Sequence, residues 1–148
     1  MASSACVQCG ARFDTSEPTC ADRFSELLAL DHSRKEPWGS RHGLAFAAYT
    51  LQHPEGQTAD ALDRCWLLLC RVYISGDSPA RVARGLRAHG SRNPDGWTAP
   101  PRPMGRAADA GFGTTIVDLG AFAADEYAAE LDSWCRATLI GWGVAPSS

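Results

Sequence analysis

Thr19-Cys20-Ala21-Asp22-Arg23-Phe24-Ser25-Glu26-Leu27-Leu28-Ala29-Leu30-Asp31 is the stretch on which the fold turns. Thr19 followed by Asp22 has the form of a capping box, in which a hydroxyl and a carboxylate satisfy backbone N–H groups at a helix start. Cys20, Phe24, Leu27, Leu28 and Asp31 then recur at the spacing of one helical face, until Pro37 and Gly39 stop the pattern. That is a first helix. Working outward, a second helix is expected from Ser40 to His53, apolar at Leu44, Phe46, Ala47 and Leu51. Pro54 ends it, because proline has no amide hydrogen to continue the ladder.

Thr58 can cap a third helix with an inner stripe of Leu62, Cys65, Trp66, Leu69 and Tyr73, ending at Gly76. Ser78 followed by Pro79 opens a fourth, which Gly90 can close. Residues 91–113 carry four prolines and four glycines, a composition that supports an irregular surface loop rather than a regular element. Thr114 to Leu119 reads as either a brief strand or a capped turn. From Ala123 to about Ile140, Tyr127, Leu131, Trp134 and Thr138, with Ala128, Cys135 and Leu139, make a broad helical stripe. The expectation is a mainly α protein: a small bundle of about five helices with a zinc-binding amino-terminal arm. It forms a single domain over 1–148, divided into a cysteine-bearing arm (1–19), a helical body (20–90), a Pro/Gly-rich loop (91–113) and a closing segment and helix (114–142).

With 148 residues, 45% hydrophobic and 21% charged, the chain can bury an ordinary core and is neither disordered nor fibrous in composition. A net charge of -3 lacks the basic excess that counterion release at nucleic acid or attraction to anionic lipid requires, which makes both partners unfavoured. No stretch has the roughly 18 to 20 consecutive apolar residues of a membrane span, and the opening residues do not read as a secretion signal. A cytoplasmic setting is therefore expected. There Cys6, Cys9, Cys20, Cys65, Cys70 and Cys135 stay reduced and serve as metal ligands or core residues rather than disulfides.

Cys6-Val-Gln-Cys9-Gly10 offers two thiolates three positions apart, with a glycine to relax the tight turn that brings both to one ion. A redox dithiol is the competing reading, but no strand-to-helix junction follows as that motif requires. A closed zinc site wants four ligands, and Cys20, at the start of the first helix, is the natural third. If the first two helices form an antiparallel hairpin, the end of the second returns to the start of the first and brings His53 to Cys20. His42, at the other end of that helix and about 16 Å away at 1.5 Å per residue, is too far to share the ion. The preferred set is Cys6, Cys9, Cys20 and His53. If His53 instead serves as a cap at its helix end, Cys135 or a water takes the fourth position. Cys65 and Cys70, five apart on one helix, read as small buried apolar residues.

At the far end of the hairpin Asp31, His32 and His42 form a second polar cluster, with Glu36 and Arg41 nearby. Its carboxylate and imidazoles suit a metal or an acid/base pair, and ordinary solvated ion pairs explain the same residues. Arg81, Arg84 and Arg87 recur on the fourth helix, and Arg92, Arg102 and Arg106 follow in the loop. They are read as a solubilising face more readily than as an anion site, since aromatics for base stacking are sparse. Gly111-Phe112-Gly113-Thr114-Thr115 lacks the lysine and helix of a phosphate loop. Trp38, Trp66, Trp97, Trp134 and Trp142 read as core or loop anchors. No complete catalytic constellation is present. A groove bordered by Trp97, Arg102 and Tyr127 is the expected partner or anion surface, for a protein or small molecule.

Cys6-x-x-Cys9-Gly10, Cys20-x-x-x-Phe24-x-x-Leu27-Leu28-Ala29-Leu30, His42-x-Leu44 and Tyr49-x-Leu51-Gln52-His53-Pro54 together resemble a bacterial family designated domain of unknown function 5946. The likeness continues through Thr115-x-x-Asp118 and the Tyr127 to Trp134 helix, and Gln52-His53-Pro54 is its most specific part. Asp31-His32 stands where the resemblance leads one to expect an acidic-aromatic pair. The resemblance implies a fold and metal ligands and no activity. The functional expectation is a zinc-binding accessory or binding protein in which zinc is structural. The alternative is a small metal-dependent or biosynthetic enzyme with an open zinc position assisted by His42, Asp31 or Tyr49.

Overall fold

A computed structural model describes residues 3–14, 16–89, 98–103 and 111–146. The capping box at Thr19 forms: its hydroxyl accepts from the Asp22 amide at 3.2 Å, and the Asp22 carboxylate accepts from the Thr19 amide at 3.0 Å. It opens α1 (Cys20–His32), which closes at Ser33 before Arg34 takes a left-handed φ of 60°. A 3-10 turn, Gly39–Arg41, then leads into α2 (His42–Gln52), two residues later than expected. The His53 amide completes the last turn by bonding to Tyr49 O at 2.9 Å. α3 (Ala59–Tyr73) is capped by Thr58, and α4 spans Pro79–His89.

Thr115 and Asp118 form a second capping box over a 3-10 turn, Ile116–Leu119, which decides between strand and capped turn in favour of the turn. Gly120 and Phe122 follow at φ of 57° and 58°, a left-handed bend that no helix can pass through. This delays α5 to Tyr127–Gly141 where the sequence pattern suggested Ala123. The protein is mainly α, with five helices among the described residues. The arm adds an element the sequence reading lacked: β1 (Ser3–Ala5) pairs antiparallel with β2 (Arg12–Asp14), Ser4 opposite Phe13.

α2 sits at the centre. Ala45, Ala47 and Ala48 are 0%, 1% and 0% exposed, and residues this small let α3 and α5 approach its backbone from two sides. The α3 stripe Leu62, Cys65, Trp66, Leu69 and Tyr73 is buried as read, as are Tyr127, Leu131, Trp134 and Thr138 on α5. Each wholly buried leucine, such as Leu27, Leu51, Leu69 or Leu139, contributes about 1.5–3 kcal/mol by leaving water. Three indole N–H groups tie remote segments together. Trp38 donates to Phe122 O, Trp66 to Pro100 O and Trp142 to Leu51 O, at 2.9, 2.7 and 2.9 Å. Trp134 is a core residue, and Trp97 lies outside the described residues.

α1 and α2 run antiparallel. Phe24 stacks on Tyr49 with ring centres 4.0 Å apart, and Asp31 at the end of α1 meets His42 at the start of α2. Their other ends, Cys20 and His53, therefore meet beneath the arm.

Candidate metal centre

The β1–β2 connection folds into a tight turn because the Cys6 amide bonds to Ala11 O at 2.8 Å and the Gly10 amide to Cys6 O at 2.9 Å. Gly10 holds the turn with a φ of 82°, a conformation costly for a residue with a Cβ. Both thiols of Cys-x-x-Cys then face the same way. Cys9 is wholly buried, Cys6 half-buried, and Cys20 enters from the first turn of α1 with its Sγ 3.7 Å from that of Cys9.

His53 arrives from the end of α2. Its ring stacks on Tyr49 at 4.2 Å, and Nδ1–H donates to Tyr49 O at 2.9 Å, which leaves the lone pair of Nε2 free. That nitrogen is buried and has no hydrogen-bond partner. The ligand atoms of Cys6, Cys9, Cys20 and His53 all lie within 4.8 Å of one another, so this group could hold a metal ion. Among the described residues it is the one group of three or more such side chains so arranged.

The electrostatics suit a cation. The Cys9 thiol is pulled down to about 4, first by the Cys20 thiol that donates to it and also by the Ala11 amide, against a burial that raises it. Cys20 is pushed up by giving that hydrogen bond, then by burial and by the charges of Cys9 and Cys6. The neighbouring Tyr49 hydroxyl is raised by burial and then by the three thiols. A cation among these sulfurs would stabilise the thiolate form of each.

Contacts from distant parts of the chain close the centre. Gln8 Oε1 accepts from the Glu55 amide at 2.9 Å, and the Phe112 amide donates to Cys9 O at 3.1 Å. Gly111, at a φ of 86°, lies so close that a Cβ there would stand 2.9 Å from Cys9 O. The Gly-Phe-Gly segment thus covers the cysteine turn. Gly111 and Phe112 are the contributors that the sequence pattern did not reveal, while Tyr49 enters through its carbonyl and ring.

Other thiols stay apart. Cys135 is buried with its Sγ directed at Leu44 O, 3.7 Å away, and belongs to the core rather than to the quartet. Cys65 and Cys70 are buried on α3, and burial pushes their thiols up to about 11 and about 12.

At the far end of the hairpin Asp31 is not a solvated ion-pair partner. Its side chain is 0% exposed, and its Oδ2 accepts from His42 Nδ1 at 2.8 Å. His32 is exposed, its ring centre 6.0 Å from that of His42.

Of the expected surface of Trp97, Arg102 and Tyr127, only Arg102 and Tyr127 are among the described residues. Trp97 and Arg92, Arg106 and Gly90 lie outside the described residues, as does the side chain of Arg87. Tyr127 is 0% exposed, packed edge-on against Phe122, because the left-handed bend before α5 turns it inward. Arg102 is engaged by Asp63 at 2.8 Å and lies over the Trp142 ring. An open cavity of about 440 Å³ lies elsewhere, between Arg41 and Leu44 of the α2 end, Val72 and Tyr73 of α3, Ser78 before α4 and Arg136 of α5.

Fold and site together define a helical protein that gathers three thiols and an imidazole beneath an amino-terminal hairpin. Residues 4–143 match the family of unknown function DUF5946, and the chain belongs to that family. No curated protein and no solved structure matches it. Among the described residues no helix is long and apolar enough to cross a membrane.

Proposed function

We propose that the chain is a single-domain zinc-binding protein whose zinc is structural, and that it acts by binding a partner rather than by metal-centred hydrolysis. The observation that carries this reading is His53. Its Nε2 is buried without a partner and faces three thiols, while Nδ1 is held by a backbone carbonyl. An imidazole held by an acceptor at one nitrogen and left bare at the other is how proteins orient a histidine for a metal. Three sulfurs and one nitrogen match the ligand taste of zinc, and a Cys₃His set fills its four positions. With none left for water, the ion has no route to an activated hydroxide.

The zinc then fixes the β1–β2 arm to the one end of the α1–α2 hairpin where Cys20 and His53 meet. Binding to a partner falls to the surface, where the open cavity is lined by apolar Leu44, Val72 and Pro79 together with polar Arg41, Asp132 and Arg136. Elemental analysis and X-ray absorption test the reading. The expected result is one zinc per chain with three sulfurs at about 2.3 Å and one nitrogen at about 2.0 Å. Folded protein free of metal, or zinc with a water in place of His53, would overturn it.

A further inference from the structure

The geometry points to a second and open metal site at the opposite end of the α1–α2 hairpin, in which His42 Nε2 and His32 hold a divalent transition ion such as Zn²⁺ or Ni²⁺. Solvent or a ligand oxygen fills its remaining positions. The argument is independent of the cysteine centre.

Burying a carboxylate costs several kcal/mol unless it is well paired, and Asp31 is fully buried. Its Oδ2 is bonded to His42, and its second oxygen, Oδ1, is buried with no hydrogen-bond partner. A residue needed only to join two helix ends would be replaced by an apolar one at lower cost. What Asp31 does accomplish is to fix the imidazole. A carboxylate oxygen accepts the Nδ1–H hydrogen bond at 2.8 Å, which leaves the Nε2 lone pair on a side chain 42% exposed to solvent. The carboxylate–histidine pair is a standard support for a metal-bound imidazole.

His32 supplies the second donor. It sits on the last turn of α1, exposed, with its ring centre 6.0 Å from that of His42. Two imidazoles bound to one ion at about 2.0–2.1 Å bring their ring centres to roughly 5–6 Å, so a side-chain rotation at the exposed His32 completes the pair. The neighbouring cation does not oppose this strongly, since Arg41 donates to Pro37 O at 3.1 Å and faces Glu36 at 3.7 Å. Nitrogen donors select borderline ions over Mg²⁺ and Ca²⁺, which prefer oxygen. Asp31 is a positioning residue here, and only the two histidines touch the ion.

The test adds Zn²⁺, Ni²⁺ or Mg²⁺ to full-length protein already holding whatever metal the cysteines retain, and follows the histidine ring resonances by NMR. The expected result is that the His32 and His42 rings respond together, saturating at one added equivalent of Zn²⁺ or Ni²⁺ and not moving with Mg²⁺. His32→Gln, at an exposed position that cannot upset folding, is expected to weaken the added ion at least tenfold. Asp31→Asn, which keeps shape and hydrogen bonding but loses the charge, is expected to weaken it by about 10- to 100-fold. Response at only one ring, response at His89 instead, an equal response to Mg²⁺, or binding unchanged in His32→Gln would overturn the proposal.

Discussion

Cys20→Ala and Cys65→Ala form a matched pair whose difference isolates the metal. Both thiols are reduced and buried, at 5% and 6% exposure, and both lie on helices, so the loss of a buried sulfur is the same in each. That common loss is about 1 kcal/mol. Only Cys20 has its Sγ among the four ligand atoms within 4.8 Å of one another. Apparent zinc binding energies in small domains are about 10–16 kcal/mol, and a quarter of that is roughly 3–4 kcal/mol per ligand. At about 2–4 °C per kcal/mol for a chain of this size, Cys65→Ala should melt about 2–4 °C below the parent and Cys20→Ala roughly 8–20 °C below. Thermal melts in zinc-replete buffer and after a strong chelator provide the assay. The chelator should bring the parent down toward Cys20→Ala and leave Cys20→Ala nearly where it was. Two variants that melt within a few degrees of each other, both moved equally by chelation, would refute the assignment of Cys20 to the centre.

Burial pushes the thiols of Cys65, Cys70 and Cys135 up to about 11, about 12 and about 12. Raised folded values mean the native chain holds these protons longer than the unfolded one, so their contribution is complete below the ordinary value of 9.0 and is lost as pH rises through 11 to 12. Urea denaturation between pH 8 and pH 11 should show stability falling with pH, and Cys70→Ala should lessen the slope; an unchanged slope counts against the burial argument. A thiol reagent at neutral pH should label at most Cys6, Cys9 and Cys20, and those only after chelation; rapid native labelling of Cys70 would contradict its place in the core. Gly141→Ala places a methyl group where the Phe112 ring lies, so a loss of about 1–3 kcal/mol is expected in denaturant titration, relieved when Phe112 is also shortened to leucine.

Much of the centre was legible because it depends on local chain chemistry. The Cys-x-x-Cys-Gly turn, the Thr19 cap that places Cys20 in the first helical turn, and the Pro54 stop that leaves His53 at a helix end are short-range facts, and one topological step joined them. What stayed hidden was decided at long range. The β1–β2 hairpin is two three-residue strands with no alternating apolar pattern, and its pairing rests on a turn held by backbone bonds. Asp31 falls on the buried face of α1 by spacing, but its charge and its place at a helix end favour solvent, and only the tertiary packing that leaves it 4% exposed decides between them. The burial of Tyr127 has a related cause, since the helical stripe tells which face is apolar and not how the two left-handed residues before α5 set the start of that helix. The cover of Gly111 and Phe112 over Cys9 joins residues about a hundred positions apart, beyond the reach of any periodicity.

The order in which the parts leave the ribosome follows from where the ligands stand. Cys6, Cys9, Cys20 and His53 all precede Pro54, whereas Phe112, whose amide bonds Cys9 O, is made about 60 residues later. At about 5–20 residues per second that interval lasts roughly 3–12 s. For that time the nascent arm and hairpin hold a full set of ligands with no cover over the cysteine turn. An ion that these four residues could hold would thus meet an uncovered cysteine turn during synthesis, before the segment that later lies over Cys9 is made.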